Sequence, residues 1–168
     1  MQGTLAVQWA EWIERRADMT ASVPRPTLER ELGLVVSVLA RMVGPHRHEA
    51  HPIWNHLTEH YGRVGAMRGL AAGEVVEELQ YLRELLIVEL APRLWRGRPR
   101  QGLAVTLRLN RILDRAVSVA VVGYTDMLVA TLFAHNGVAA PAGPAETAEM
   151  DRQLTEFERE VARLDALA

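Results

Sequence analysis

Five of the six histidines lie close together in the chain: His46, His48, His51, His56 and His60. His56 and His60 stand four residues apart, so on a helix they share one face about a turn apart. That spacing can chelate a divalent metal. Glu59 or His51 could complete the ligand set, and zinc, nickel or haem iron would be the chemistry in question. The pair lacks the glutamate that a zincin carries directly after its first histidine, since Leu57 follows His56. A carboxylate-bridged di-iron site would draw Glu-x-x-His pairs from several helices. Here the histidines are local, and no Glu-x-x-His occurs. The expectation is therefore surface histidines around a loop and a helix start, with one or two packed between helices and no cofactor. A haem or divalent-metal site using His56 and His60 is the alternative.

A second constellation consists of polar residues inside apolar helices. Asn110 and Asp114 fall on the same helical face as Val117, Val121 and Tyr124, and Arg83 interrupts a run of leucines. If their helices pair antiparallel, Arg83 and Asp114 can form an ion pair that fixes register or lines a small polar pocket. The third feature is the loop at 93–100, with four arginines around Trp95. A net charge of −2 and no other basic stretch make this a solvated loop and argue against nucleic acid as a partner. Catalytic signatures are missing. The only serines are Ser22, Ser37 and Ser118, none in a Gly-x-Ser-x-Gly turn, and there is no Gly-rich phosphate loop. The sequence is not that of an enzyme.

Composition narrows the choice further. The 168 residues are 49% hydrophobic and 24% charged, as expected of one ordinary globular domain with a short appendage. Without cysteine there can be no disulfide, thiolate metal site or cysteine nucleophile. All 19 basic residues are arginine, which removes lysine Schiff bases and a Walker-type lysine. No signal peptide begins the chain, and a cytoplasmic location is expected. The stretch Ala116–Ala134 approaches membrane-spanning length with only Asp126 charged. An aspartate near a bilayer centre costs about 2.5–3.5 kcal/mol, so the stretch reads as the central helix of a bundle, covered by neighbours on nearly all sides.

The elements that would hold these residues are helices throughout. Apolar residues recur at three- and four-residue steps over about 4–18, 27–43, 49–68, 74–91 and 103–135. Pro24 and Pro26, Gly44-Pro45, Gly69 and Pro92 mark their ends, and Thr27 is a plausible N-cap. No hairpin signal appears. The expected fold is all-α: a bundle of about five helices over 1–136, a Pro/Ala/Gly linker over 137–146, and a helix over 147–168. In that last helix Met150, Leu154, Phe157, Val161 and Leu164 follow steps of 4, 3, 4 and 3, the a/d seam of a coiled coil. The narrow stripe favours a parallel homodimer over a helix folded back on the bundle.

Two stretches carry a resemblance. One is Tyr61-Gly-Arg-Val-Gly-Ala-Met-Arg-Gly-Leu followed by Glu74-Val-Val-Glu-Glu-Leu-Gln-Tyr-Leu-Arg83. The other is Arg108-Leu-Asn-Arg-Ile-Leu-Asp114-Arg-Ala, running on to Tyr124. Together they resemble the N-terminal domain of the RsbT co-antagonist (RsbRD) family over roughly residues 5–135. The family usually has histidine at the start of the first motif, where this chain offers His60 or Tyr61. The resemblance implies a regulatory module of bacterial stress signalling or two-component histidine kinases. Such a module senses a stimulus and passes it to a C-terminal output domain or partner protein.

Overall fold

A computed structural model describes residues 2–16, 23–94, 99–134 and 143–166. It contains six helices and, among the described residues, no strand. They are α1 (Gln2–Arg16), α2 (Arg25–Met42), α3 (Arg47–Met67), α4 (Ala72–Leu94), α5 (Pro99–Ala134) and α6 (Pro144–Ala166). The helices form a bundle, as the apolar periodicity requires. Their boundaries differ from the sequence reading where prolines were taken as stops. Pro24, not Thr27, holds the N-cap position of α2, and Pro26 lies in the first turn, where a proline gives up only an N–H that would have no partner. Thr27 is instead buried, and its hydroxyl lies 3.3 Å from an Asp151 carboxylate oxygen in α6. Pro92 lies inside α4 rather than at its limit, and Pro52 lies inside α3.

The core is one continuous cluster. Trp9 from α1, Leu32 and Val35 from α2, Trp54, Leu57 and Tyr61 from α3, Leu79 and Leu82 from α4, and Leu113 from α5 are all essentially inaccessible to solvent. Trp9 and Tyr61 pack with ring centroids 5.4 Å apart. Between α3 and α4, Gly69 takes a φ of 78° and reverses the chain, a conformation that suits a residue without Cβ.

Helices α3 and α5 meet backbone to backbone. A Cβ on Gly62 would stand 1.8 Å from the carbonyl oxygen of Ala120, and one on Gly123 would stand 2.1 Å from that of Glu59. With Ala116 and Ala120 fully buried beside them, small side chains let the two axes approach closely. Helix α5 is thus tied into the bundle, but by one face only. By length and composition Arg100–Phe133 could cross a membrane, and only 22% of its most apolar window is buried. The expectation that neighbours cover it on nearly all sides is corrected: Val122 is 56% and Phe133 is 84% exposed.

Helix α6 folds back onto α2 and α3. Met150, Leu154, Val161 and Leu164 are buried in the common core, and Phe157 packs against it. The stripe expected to be a homodimer seam therefore has a partner within its own chain. The physical reason lies in the positions flanking that stripe.

Candidate functional site

The residues next to the seam on one side of α6 are Asp151, Glu158 and Asp165, seven residues apart. Each faces α2. Arg30 grips Glu158 with Nε–Oε1 at 2.5 Å and Nη2–Oε2 at 2.6 Å, donates to the Thr155 hydroxyl at 2.8 Å, and lies 3.8 Å from Asp151. Arg41 grips Asp165 with Nη2 contacts of 2.5 and 2.7 Å. Since Arg30 meets Glu158 and Arg41 meets Asp165, α2 and α6 run in the same direction. The Arg30 hydrogen bond holds the Glu158 carboxyl below its ordinary range, and partial burial opposes this. In a parallel pair of α6 helices, Glu160 of one copy would approach Asp165 of the other, placing like charges together. Flanking charges choose partners in such helices, and these choose the arginines of α2.

Beneath α6 lies His60, 5% exposed, whose Nδ1 is 2.8 Å from Oε1 of the buried Glu31 in α2. The Phe157 ring meets the imidazole edge-on, with centroids 5.6 Å apart. The other Glu31 oxygen, Oε2, has no hydrogen-bond partner. A groove of about 400 Å³ opens between α3 and α6, bordered by His56, Glu59, His60, Arg63, Glu156 and Glu160 among others. His56 and His60 thus border one groove, but His60 turns inward to Glu31 while His56 is exposed. Among the described residues no three His, Asp or Glu side chains converge where a metal could sit. The ionic walls of this groove do not suit haem, which needs an apolar pocket. His135, the sixth histidine, and the tip of the arginine loop fall outside the described residues.

Of the polar set on the middle helices, the structure joins Arg83 to Asp114 at 2.5 Å. The other two go elsewhere: the Tyr124 hydroxyl donates to the Leu70 carbonyl at 2.8 Å, and Oδ1 of Asn110 is buried without a partner. These four residues do not make one pocket. The Asp114 side chain is 64% exposed, so its ion pair belongs to the surface.

The deeper polar centre was missed by sequence reasoning. Glu78 of α4 receives both guanidinium nitrogens of Arg68, at 2.9 and 2.7 Å, and the hydroxyl of Tyr61 donates to the same carboxylate. All three are buried. Burial pushes the Tyr61 phenol well above its usual range, and the Glu78 charge pushes the same way. Burial alone would lower the Arg68 value, but the carboxylate outweighs it and keeps the guanidinium charged. Tyr61 and Arg68 stand in the first quoted motif and Glu78 in the helix after it. Glu78 follows Glu74 and Glu77 in the chain, so it reads as part of a charged helix face, and the sequence carries no signal that it is buried. Comparison with family models, curated proteins and solved structures finds no match to this chain.

Proposed function

We propose that this chain is an input and protein-interaction module of bacterial signal transduction, akin to the RsbRD N-terminal domain it resembles, in which α6 is the moving output helix. The docking of α6 carries this reading. Its seam is a single apolar stripe, and its flanks are held by ion pairs at the protein edge. The ion pairs contribute at most about 1 kcal/mol each and the buried seam side chains about 1.5–3 kcal/mol each, so release calls for a partner that binds the free helix and covers that stripe. The groove over His60 borders the docking face, where an arriving ligand would bias that equilibrium. Released, α6 presents its stripe to an output domain or partner.

Hydrogen exchange read segment by segment tests the proposal. The amides of α6 should exchange well before those of α3. Leu154→Glu should abolish protection across 144–166 while α3 and α5 stay protected. Should α6 open only together with the whole bundle, or should Leu154→Glu unfold the chain, α6 is an integral core helix and the proposal fails.

A further inference from the structure

Among the described residues, α5 carries most of the exposed large apolar side chains, and its outer face is left uncovered by the fold. It is not uniform. Leu103 and Leu107 lie at its start, 59% and 47% exposed, and Val129 and Phe133 lie at its end, 45% and 84% exposed. Between them the same face shows Arg111, Asp114, Arg115, Ser118, Val122 and Asp126, all exposed, with Asp114 held by Arg83 of its own chain. The two apolar clusters are 26 residues apart, roughly 39 Å along a helix rising 1.5 Å per residue.

We propose that this face joins two copies of this chain, with the α5 helices antiparallel about a two-fold axis at Ser118. A residue at position i then meets one near 236 − i of the other copy. Leu107 falls opposite Val129, and Leu103 opposite Phe133, so each apolar cluster covers the other. Arg111 comes within side-chain reach of Asp126, and the symmetry makes that ion pair twice. Ser118 meets its own copy at the axis, where a small side chain lets the helices close. An isologous contact needs one patch that complements itself on reversal, and the two apolar clusters with Arg111 and Asp126 between them do. The parallel arrangement would set Arg111 against Arg111 and Asp126 against Asp126. A bilayer would have to take up Arg111, Asp114 and Asp126 from the middle of the face. The pairing supplies the dimer that the signalling reading calls for and that α6, already docked, does not, though it stands on α5 alone.

Native mass spectrometry and sedimentation of the full chain test it. The wild-type protein should be a dimer. Asp126→Arg should raise its dissociation constant more than about a hundredfold, because like charges then meet twice. Val129→Glu should do the same. Both residues are exposed, so circular dichroism and the melting temperature of the monomer should stay unchanged. Adding Arg111→Asp to Asp126→Arg should restore the dimer. A wild-type monomer at the highest soluble concentration overturns the proposal. So does a dimer that ignores both α5 variants and dissociates with Leu154→Glu, which would return the interface to α6. Flotation of monomeric wild-type protein with phosphatidylcholine vesicles, lost in Val129→Glu, would also overturn it by making the face a lipid contact. None of these results depends on whether α6 undocks, so the two proposals can fail separately.

Discussion

Glu78 is the residue on which the buried charge of Arg68 depends. Its carboxylate is the counter-charge of Arg68, whose side chain is 4% exposed, and it also takes the Tyr61 hydroxyl. Replacing one partner of such a pair leaves the other charged and unpaired, which costs about 3–5 kcal/mol. Glu78→Gln should therefore lower stability by that order in urea unfolding. Asp114→Ala, by contrast, breaks a pair whose acid is mostly in water, and the loss should stay under about 1 kcal/mol. The same centre sets an alkaline limit. The Tyr61 phenol ionises near its usual 10.0 in the unfolded chain, but only at higher pH when buried. Above pH 10 the folded state then holds more protons than the unfolded one, so stability, full below that pH, falls as pH rises. In Tyr61→Phe that alkaline slope should flatten, and a melting temperature dropping equally in both proteins would contradict it. The Arg83–Asp114 pair was legible in the sequence because both residues interrupt apolar runs on neighbouring helices. Arg68, Glu78 and Glu31 were not, because a charged residue in a helix is ordinarily read as surface unless its partner on another helix is known.

At the scale of elements, the glycines of α3 and α5 separate packing from propensity. A methyl group on Gly62 would run into the backbone of Ala120, which cannot rotate away. Gly62→Ala should cost at least about 1–3 kcal/mol, the range for overpacking a filled core. Gly33, in the middle of α2, has nothing within 4 Å of where a Cβ would stand. Gly33→Ala should stabilise by about 0.5–1 kcal/mol, because alanine surrenders less backbone entropy than glycine on entering a helix. Thermal melts of the two variants should move in opposite directions, and a shared direction would refute the close α3–α5 approach. The number and order of helices were readable from the period of the apolar residues. The α3–α5 crossing was not, because glycine within a helical pattern carries no mark of what it faces. The extent of α5's burial was misread for a related reason: hydropathy records which residues are apolar, not how many neighbours there are to cover them.

At the scale of the molecule, the question is whether α6 belongs to the bundle or only rests on it. The sequence sets 147–168 apart behind a linker, and its a/d stripe fits a coiled coil; what it also contained, unread, was the row of acids at Asp151, Glu158 and Asp165. Set against each other in a parallel pair, those flanks repel; set against Arg30 and Arg41, they attract. The apolar stripe thus says that α6 has a helical partner, and the charges say which one. This leads to a dependence on solution conditions confined to one helix. Glu158 is held ionised by Arg30 below its ordinary 4.5, so its contribution is complete above that value and is lost as pH falls through the depressed one. Salt weakens the same contacts, because at about 1 M the Debye length shrinks to roughly 3 Å. Acid below pH 4 or high salt should therefore speed amide exchange in α6 while leaving α3, anchored by Trp54, Leu57 and Tyr61, protected. Glu158→Gln at neutral pH should reproduce part of that loss and make α6 less sensitive to acid. If α6 keeps its protection in both conditions, the apolar seam alone holds it down and the arginine pairs only decorate the edge. Selective loosening would show that electrostatic contacts set the balance between docked and free α6, the balance an incoming signal would have to shift.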